Sequence, residues 1–297
     1  MSCRITGYST ALYATWFFIE DHGILFDAGD GVVSALGGKI GKIRHIFITH
    51  ADRDHLTGLL QVLQLNTDPG KPNVYYPKDS GSFPALQHFI NTFDPQSNGA
   101  TWTPIGPTDR IQIKPDLYVE AAENGHIRTD GATIKSLRFF LTATKRKLKP
   151  EFTALSGHKI AELRKQHGDD HVSTPTSSTL LAYSGDSPVE PDPTTWRTPE
   201  VLIHEATFLD EATLDLTSDA YNLHSHLQGV LESVATLPLQ ALVLTHFSTR
   251  YSYTDIKTAI ANECRRLDIR FPVHAVLPMQ VTRDILQTKD YNPVTNP

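Results

Sequence analysis

The chain has 297 residues, of which 39% are hydrophobic and 20% charged, and a formal net charge of −6. This composition is typical of a globular protein with a sizeable core. No general affinity for nucleic acid follows from the acidic net charge, so any such contact would come from a local basic patch. The length is compatible with a single domain over residues 1–297. Two cysteines exclude a disulfide framework and favour a reducing compartment. No apolar run is long enough to span a membrane, so we expect a cytoplasmic protein without membrane contact.

The first informative stretch, ILFDAGDG, covers residues 24–31. Its apolar start predicts a strand over residues 24–26, and Asp27 stands at the strand end before a turn that contains Gly29 and Gly31. An ordinary Asp-Gly turn explains this pattern as well as a functional aspartate does. The residues alone therefore leave both interpretations open.

Residues 43–64, IRHIFITHADRDHLTGLLQVLQ, form the stretch with the most chemistry. An apolar, β-branched run predicts a strand over residues 43–49, and leucines at helical spacing predict a helix soon afterwards. Four potential metal ligands lie on the loop between the two elements: His50, Asp52, Asp54 and His55. A plain turn with Asp54 as the helix N-cap needs neither two histidines nor two aspartates, so the composition favours a metal site.

The middle of the chain carries fewer chemical signals. We predict a helix near residues 85–92 and a strand over residues 117–122, after which His126 stands on a loop. Residues 142–170 are basic and predicted to be helical, and residues 171–178 are predicted to be a polar loop. The basic stretch contains one dense positive cluster, formed by Lys145, Arg146, Lys147 and Lys149. Such a cluster is either a solvated face or a patch that contacts phosphates.

Three predicted strands in the second half each end in an ionisable residue. Residues 179–183 are followed by Asp186, residues 201–203 by His204 and Glu205, and residues 241–244 by His246. A helical segment is predicted around residues 221–237, with His224 and His226 near its start, and another over residues 254–267. Ligand-binding side chains gather at strand ends in layered α/β folds, so the recurrence predicts one polynuclear metal site.

Several motifs resemble those of one enzyme superfamily. The loop from residue 50 to residue 55 reads H-x-D-x-D-H and resembles the H-x-H-x-D-H signature of the metallo-β-lactamase superfamily, with Asp52 as the departure. HEATF, HS and LVLTHFSTRY, which begin at His204, His224 and Leu242, are similar to segments of ribonuclease Z, the tRNA 3′-processing endoribonuclease. FDAGDG at residues 26–31 and SGDS at residues 184–187 resemble two further motifs of that family. The resemblance implies an α/β fold, the four-layer αββα sandwich of the superfamily, and a homodimer.

The same resemblance implies a set of site residues. The metal ligands would be His50, Asp52, Asp54, His55, His126, Asp186 and His246, with Asp186 bridging two ions. The catalytic residues would be Asp54, which orients the attacking water, and Glu205 with His224, which assist the leaving group. The family's His-Ser-Thr reads His224-Ser225-His226 in this chain, so His226 is a rival for the catalytic histidine. Asp27 matches an aspartate that orients the ligand loop and does not bind metal.

The implied cofactors are two divalent metal ions, with zinc as the expected metal. Asp52 puts a carboxylate where the family has an imidazole. A carboxylate is a harder ligand than an imidazole, so manganese or iron is the alternative at that site.

The implied activity is that of a metal-dependent hydrolase. It would cleave RNA phosphodiester bonds through a hydroxide that two metal ions activate. The specific reaction would be tRNA 3′ processing. Two alternatives stay open: a hydrolase of a small substrate, such as a cyclic nucleotide or another ester, and a non-catalytic metal-binding homologue. The interval from His126 to Asp186 lacks the Gly- and Pro-rich arm with which the family grips tRNA. The expected partner is therefore RNA or a small phosphodiester, and the substrate-binding residues are unassigned.

Overall fold

Two β-sheets pack face to face, and helices cover both outer surfaces. The computed structural model describes residues 3–66, 70–95, 99–127, 129, 133–211 and 223–296. The strands are β1 (Ile5–Thr10), β2 (Ala14–Ile19), β3 (Ile24–Phe26), β4 (His45–Phe47), β5 (Asn73–Pro77), β6 (Thr101–Ile105), β7 (Arg110–Lys114), β8 (Leu117–Glu123), β9 (Leu137–Leu148), β10 (Ser173–Tyr183), β11 (Val201–Glu205), β12 (Ala241–Thr245) and β13 (Val273–Ala275). The helices are α1 (Val32–Leu36), α2 (Arg53–Leu56), α3 (Leu59–Gln64), α4 (Ser82–Phe93), α5 (Gly157–His167), α6 (Asp169–Val172), α7 (Leu227–Val234) and α8 (Tyr253–Arg266).

The chain builds one sheet and then the other. The first sheet has the order β1-β2-β3-β4-β5-β6, and the second has the order β13-β12-β11-β10-β9-β8-β7. Strands β3 to β6 are parallel to one another, and so are β10 to β13. Strand β2, with the sequence ATWFFI, is buried along its whole length. Continuous apolar runs of this kind are expected in strands whose two faces are both covered.

Apolar side chains fill three layers of core. Between the sheets, the rings of Phe26 and Phe139 stack with their centroids 5.8 Å apart, and Phe47 lies 5.4 Å from Phe139. On the outer face of the first sheet, buried residues of α1, α3 and α4 form a second cluster. Residues of α7 and α8 form the third cluster on the outer face of the second sheet. The predicted α/β fold, a four-layer αββα sandwich, is therefore confirmed.

Several strands that carry predicted site residues end at the same edge of this sandwich. Strands β3 and β4 of the first sheet and β10, β11 and β12 of the second run parallel within their sheets. Strand β8 is parallel to β10 because both pair antiparallel with β9. Carboxyl ends of parallel strands collect at one edge of a sheet, and such edges are where ligands bind in layered α/β proteins.

The prediction of a helix over residues 142–170 is wrong for its first part, and the predicted loop at 171–178 is wrong as well. Residues 142–148 belong to β9, and β10 begins at Ser173, which pairs with Leu148. Beyond Ala143, β9 has only β10 as a neighbour, and both faces of this two-stranded piece are largely exposed. Polar residues on two exposed faces leave no hydrophobic periodicity, so no pattern in these residues predicts a strand. We call residues 144–177 the ribbon.

The predicted helices near residues 85–92 and 254–267 are confirmed as α4 and α8, within a few residues at each end. The segment predicted around residues 221–237 is helical only from Leu227 to Val234 among its described residues, and residues 221 and 222 lie outside them. Among the helices that the structure describes, none is both long and apolar enough to cross a membrane.

Candidate metal centre

The predicted ligands collect in two adjacent groups at the shared edge of the sheets. In one group, ligand atoms of Asp54, His55, Asp186 and His246 all lie within 4.8 Å of one another, and a second group within the same limit consists of His50, Asp52 and His126. The carboxylate of Asp186 faces both groups. Its Oδ2 lies 3.2 Å from Nε2 of His55 and 3.8 Å from Nε2 of His50. The structure thus brings all seven predicted ligands together.

Four histidines in this cluster share one hydrogen-bonding pattern. Their Nε2 atoms are buried and have no hydrogen-bond partner among the described residues, in His50, His55, His126 and His246. The Nδ1 atom of each ring is held by Thr49 Oγ1 at 2.9 Å, Asp27 Oδ2 at 2.8 Å, Leu223 O at 2.7 Å and Thr207 Oγ1 at 2.8 Å, respectively. Buried polar atoms without a partner are rare, and an imidazole with one fixed and one bare nitrogen is the form that binds metal. This donor set fits two divalent cations.

Asp27 is the centre of the hydrogen bonds that hold the ligand loop. Its buried carboxylate accepts a backbone hydrogen bond from Thr49 at 2.7 Å, a bond from His55 Nδ1 at 2.8 Å and one from the Tyr183 hydroxyl at 2.6 Å. Burial by itself would lower the pKa of His55, but the carboxylates of Asp186 and Asp27 outweigh burial and raise it well above the ordinary value. The aspartate therefore fixes the orientation of His55 and does not face the cluster itself.

Asp52 turns its carboxylate toward the histidines. It occupies the N-cap position of α2, although its side chain makes no capping hydrogen bond. Asp54 lies within α2, so the alternative of a turn with Asp54 as the N-cap is wrong. Oδ2 of Asp52 lies 3.6 Å from Nε2 of His50 and 4.0 Å from Nε2 of His126. The nearby imidazoles of His126 and His50 lower the pKa of Asp52 well below its usual range. Although its side chain is shorter than the histidine of the family signature, Asp52 reaches the group formed with His50 and His126, where the resemblance places it.

Beside the cluster, Glu205 and His224 form a close pair. Nδ1 of His224 lies 2.9 Å from Oε1 of Glu205, which is buried and also accepts hydrogen bonds from the Ser187 backbone and the Thr207 hydroxyl. Burial would lower the pKa of His224, but the Glu205 carboxylate outweighs burial and raises it to about 9. His226 has a different task, because its Nδ1 accepts the backbone N–H of Gly229 and caps α7. The geometry therefore puts His224, and not its rival, next to Glu205.

Three contacts that hold the site were missed by the sequence analysis. The hydroxyls of Thr49 and Thr207 and the carbonyl of Leu223 each fix one histidine ring. Thr49 directly precedes His50, and Thr207 lies in the HEATF segment, so their positions offered a signal. A backbone carbonyl such as that of Leu223, which lies 97 residues along the chain from His126, offers none.

Comparison with known proteins agrees with this geometry. The family model described as the beta-lactamase superfamily domain matches residues 22–247. The chain therefore belongs to the beta-lactamase superfamily. Within it, the chain is 25% identical over 268 residues to the chloroplastic tRNase Z of Arabidopsis thaliana, covering 87% of this chain and 71% of the relative.

Two solved structures share the fold. The metallo-beta-lactamase fold protein YhfI of Bacillus subtilis superposes with a TM-score of 0.62 at 13% identity, covering 94% of this chain and 98% of that one. The short form of human tRNase Z superposes with a TM-score of 0.54 at 22% identity, covering 83% of this chain and 93% of that one. The predicted resemblance to ribonuclease Z and the predicted class, a metal-dependent hydrolase, are confirmed.

We expect Asp27→Asn to weaken divalent-metal binding by about 10- to 100-fold, the usual cost of losing the partner that orients a ligand. Asparagine has one accepting oxygen where aspartate has two, so it cannot accept from both the Thr49 N–H and His55 Nδ1, and the ligand loop would lose part of its support. A competition titration with a chelating indicator measures the affinity. Asp192→Asn, a change at an exposed loop carboxylate, is the matched control. Equal affinities in Asp27→Asn and the control would show that the hydrogen bond does not support metal binding.

Proposed function

We propose that this protein is a zinc-dependent phosphodiesterase that hydrolyses RNA, with tRNA precursors as the specific substrates. The observation that carries the proposal is the Glu205–His224 pair, with its 2.9 Å contact, beside the double cluster of histidines and aspartates. A hydrolase that only had to open a reactive ester would not need this pair. The names of the relatives, tRNase Z and ribonuclease Z, support an RNA substrate.

Each metal ion would have its own ligands. His50, Asp52 and His126 would hold one ion, Asp54, His55 and His246 would hold the other, and Asp186 would contact both. Two divalent ions in such a site polarise the phosphate and make water a better nucleophile at neutral pH. Zinc suits the four imidazoles, and the carboxylate of Asp52 makes manganese or iron more competitive for the first ion.

The protein's own groups would supply the proton transfers. Asp54 can accept a hydrogen bond from the attacking water and so orient it. His224 is held protonated by Glu205, with Nδ1–H directed to that carboxylate, which leaves Nε2–H to donate. An imidazolium can protonate a departing 3′ oxygen, which is a poor leaving group without a proton.

The ribbon supports a substrate larger than a small diester. Lys145, Lys147 and Lys149 alternate with other residues along β9 and its end, so they lie on one face, because side chains on a strand alternate. Arg146 points to the other face, where it contacts Asp170 and the Ser173 carbonyl. No ion pair involves the three lysines among the residues that the structure describes. Three unpaired lysines on one face of a projecting element suit phosphate contacts.

The homodimer and the cytoplasmic location, which the resemblance and the composition imply, are part of the same proposal. Sedimentation of the purified protein tests the first. The proposal names the dimer as the working form, so a monomer with full activity would contradict it.

The leaving-group test separates this chemistry from simple ester hydrolysis. The zinc-loaded protein should hydrolyse bis(p-nitrophenyl) phosphate and lose this activity with a chelator. His224→Ala should reduce turnover of a diester with an alkoxide leaving group by about 10²- to 10⁴-fold, the range of general acid catalysis, and affect p-nitrophenolate release far less. His226→Asn, which keeps an N-cap residue, is the control. Equal losses on both substrates in His224→Ala would exclude leaving-group protonation.

Charge reversal tests the ribbon. The triple variant Lys145→Glu, Lys147→Glu and Lys149→Glu should bind RNA more weakly. The slope of the logarithm of the RNA association constant against the logarithm of the salt concentration should become smaller in magnitude by roughly two to three. Turnover of bis(p-nitrophenyl) phosphate is the internal reference for folding and metal content. The matched control reverses Lys71, Lys257 and Lys289, which lie outside the ribbon. If both triple variants bind RNA alike, the ribbon lysines form only a solvated face, and the small-diester alternative gains.

The metal preference can be tested at Asp52. After purification from medium with equal zinc and manganese, wild type should retain more manganese than Asp52→His, because the imidazole is the softer ligand. Elemental analysis of the two proteins measures this directly. Asp192→Asn again serves as the control. Identical metal content in wild type and Asp52→His would show that the carboxylate has no influence on metal choice.

A further inference from the structure

A cleft of about 270 Å³ opens beside the candidate metal centre, between the β1–β2 turn and the segment after β13. The residues that matter for its chemistry are Tyr8, Tyr13, Trp16, Asp30, Met279 and Val281. None of these belongs to the predicted site. We propose that this cleft binds an unpaired nucleobase of the substrate, one that carries an exocyclic amino group. The proposal rests on the proposed function, since it places the base beside a phosphodiester held at the metal centre.

The position of the cleft follows from the strand directions. Strand β2 is antiparallel to β3, so the turn before β2 lies at the edge where β3 ends. The Gly29 N–H donates to the Thr15 carbonyl at 3.0 Å, and the Ala11 N–H donates to the carbonyl of Phe247, the neighbour of His246, at 3.4 Å. One wall of the cleft is thus tied by backbone contacts to the loops that present ligands from both sheets.

One aromatic side chain and two flexible or aliphatic side chains are exposed on the walls of the cleft. Tyr13 is 54% exposed, Met279 is 56% exposed and Val281 is 41% exposed, whereas Trp16 is buried at the base. Clustered exposed apolar side chains of this kind mark binding sites more often than inert surface. Aromatic rings are the surfaces on which proteins stack unpaired bases, and any base has a face to offer.

Met279 is held in place at a cost. Its φ of 59° lies in the left-handed region that a residue with a long side chain rarely adopts. The Met279 N–H donates to Thr10 Oγ1 at 2.8 Å, and the Tyr8 hydroxyl donates to its sulfur at 3.4 Å. Such strain persists where the surroundings fix it, and it concentrates at functional sites.

Asp30 gives the cleft a specific chemistry. On the rim, its Oδ1 accepts the Gly31 N–H at 2.8 Å, and the carboxylate is exposed. An exocyclic amino group can donate a hydrogen bond to this carboxylate, whereas a phosphate is repelled by it. Trp16, which also lines the cleft, has a buried indole Nε1 with no acceptor among the described residues.

The test compares inhibitors that differ only in the base. Adenosine 5′- and 3′-monophosphate and the matching ribose phosphates are titrated as inhibitors of bis(p-nitrophenyl) phosphate hydrolysis by the zinc-loaded protein. In wild type, at least one nucleotide should bind about 10-fold more tightly than its ribose phosphate, as stacking on one aromatic ring provides. Tyr13→Ala and Met279→Ala, both at exposed positions, should bring that ratio close to one. Uridine 5′-monophosphate, whose base has no amino group, is titrated in addition to these four compounds. Wild type should bind adenosine 5′-monophosphate more tightly than the uridine nucleotide, and Asp30→Asn should reduce this preference.

Phe89→Ala is the matched control, because Phe89 is 51% exposed and lies on α4. A ratio near one in wild type, or a ratio that survives in Tyr13→Ala, would overturn the proposal. The proposal would also be overturned if Tyr13→Ala dissociated a dimer and left the ratio unchanged. The cleft would then hold a second copy of the chain. If wild type does not hydrolyse the diester at all, the proposed function fails, and calorimetric titration with the same four compounds still decides the cleft.

Discussion

The buried carboxylate of Asp27 is the contact on which the site depends. It lies after β3 and accepts hydrogen bonds from Thr49 and His55 of the neighbouring loop and from Tyr183 of the opposite sheet. One side chain thereby fixes the ligand loop and joins the two halves of the sandwich at the edge where the metals would bind. A buried carboxylate is costly, and here hydrogen bonds on both of its oxygens offset that cost.

The same principle recurs around the cluster. Each of the four histidines is fixed through Nδ1, and each Nε2 stays without a hydrogen bond. The group that fixes His55, His126 or His246 belongs to a distant part of the chain, whereas His50 is fixed by the adjacent Thr49. Bare buried nitrogens and converging carboxylates destabilise a protein that has no cation to place among them. Stability and metal content are therefore linked in this fold, since a cation that binds only the folded chain stabilises it.

The sequence predicted those parts of the site in which the chemistry is contiguous or repeated. The loop from residue 50 to residue 55 carries four ligands in six positions, and Asp186 and His246 follow apolar runs that form strands. The choice between His224 and His226 required geometry, because both side chains precede α7 and only the contacts differ. The helix predicted over the first part of the ribbon is wrong, because lysines and threonines on two solvent-exposed faces have no hydrophobic period. The cleft beside β2 combines residues from both ends of the chain, and no local pattern joins Tyr13 to Met279.

The ribbon contributes little to the core and can be removed without moving the candidate metal ligands. Thr144 and Ser177 face each other across the two strands where these leave the body of the sheet. Between them, α5 contributes no buried residue, so the sandwich gains little core from the whole excursion. A short turn between these two positions would close the sheet and leave every candidate ligand in place. Under the proposed function, contact with a large substrate and bond cleavage are thus encoded in separable pieces of the chain.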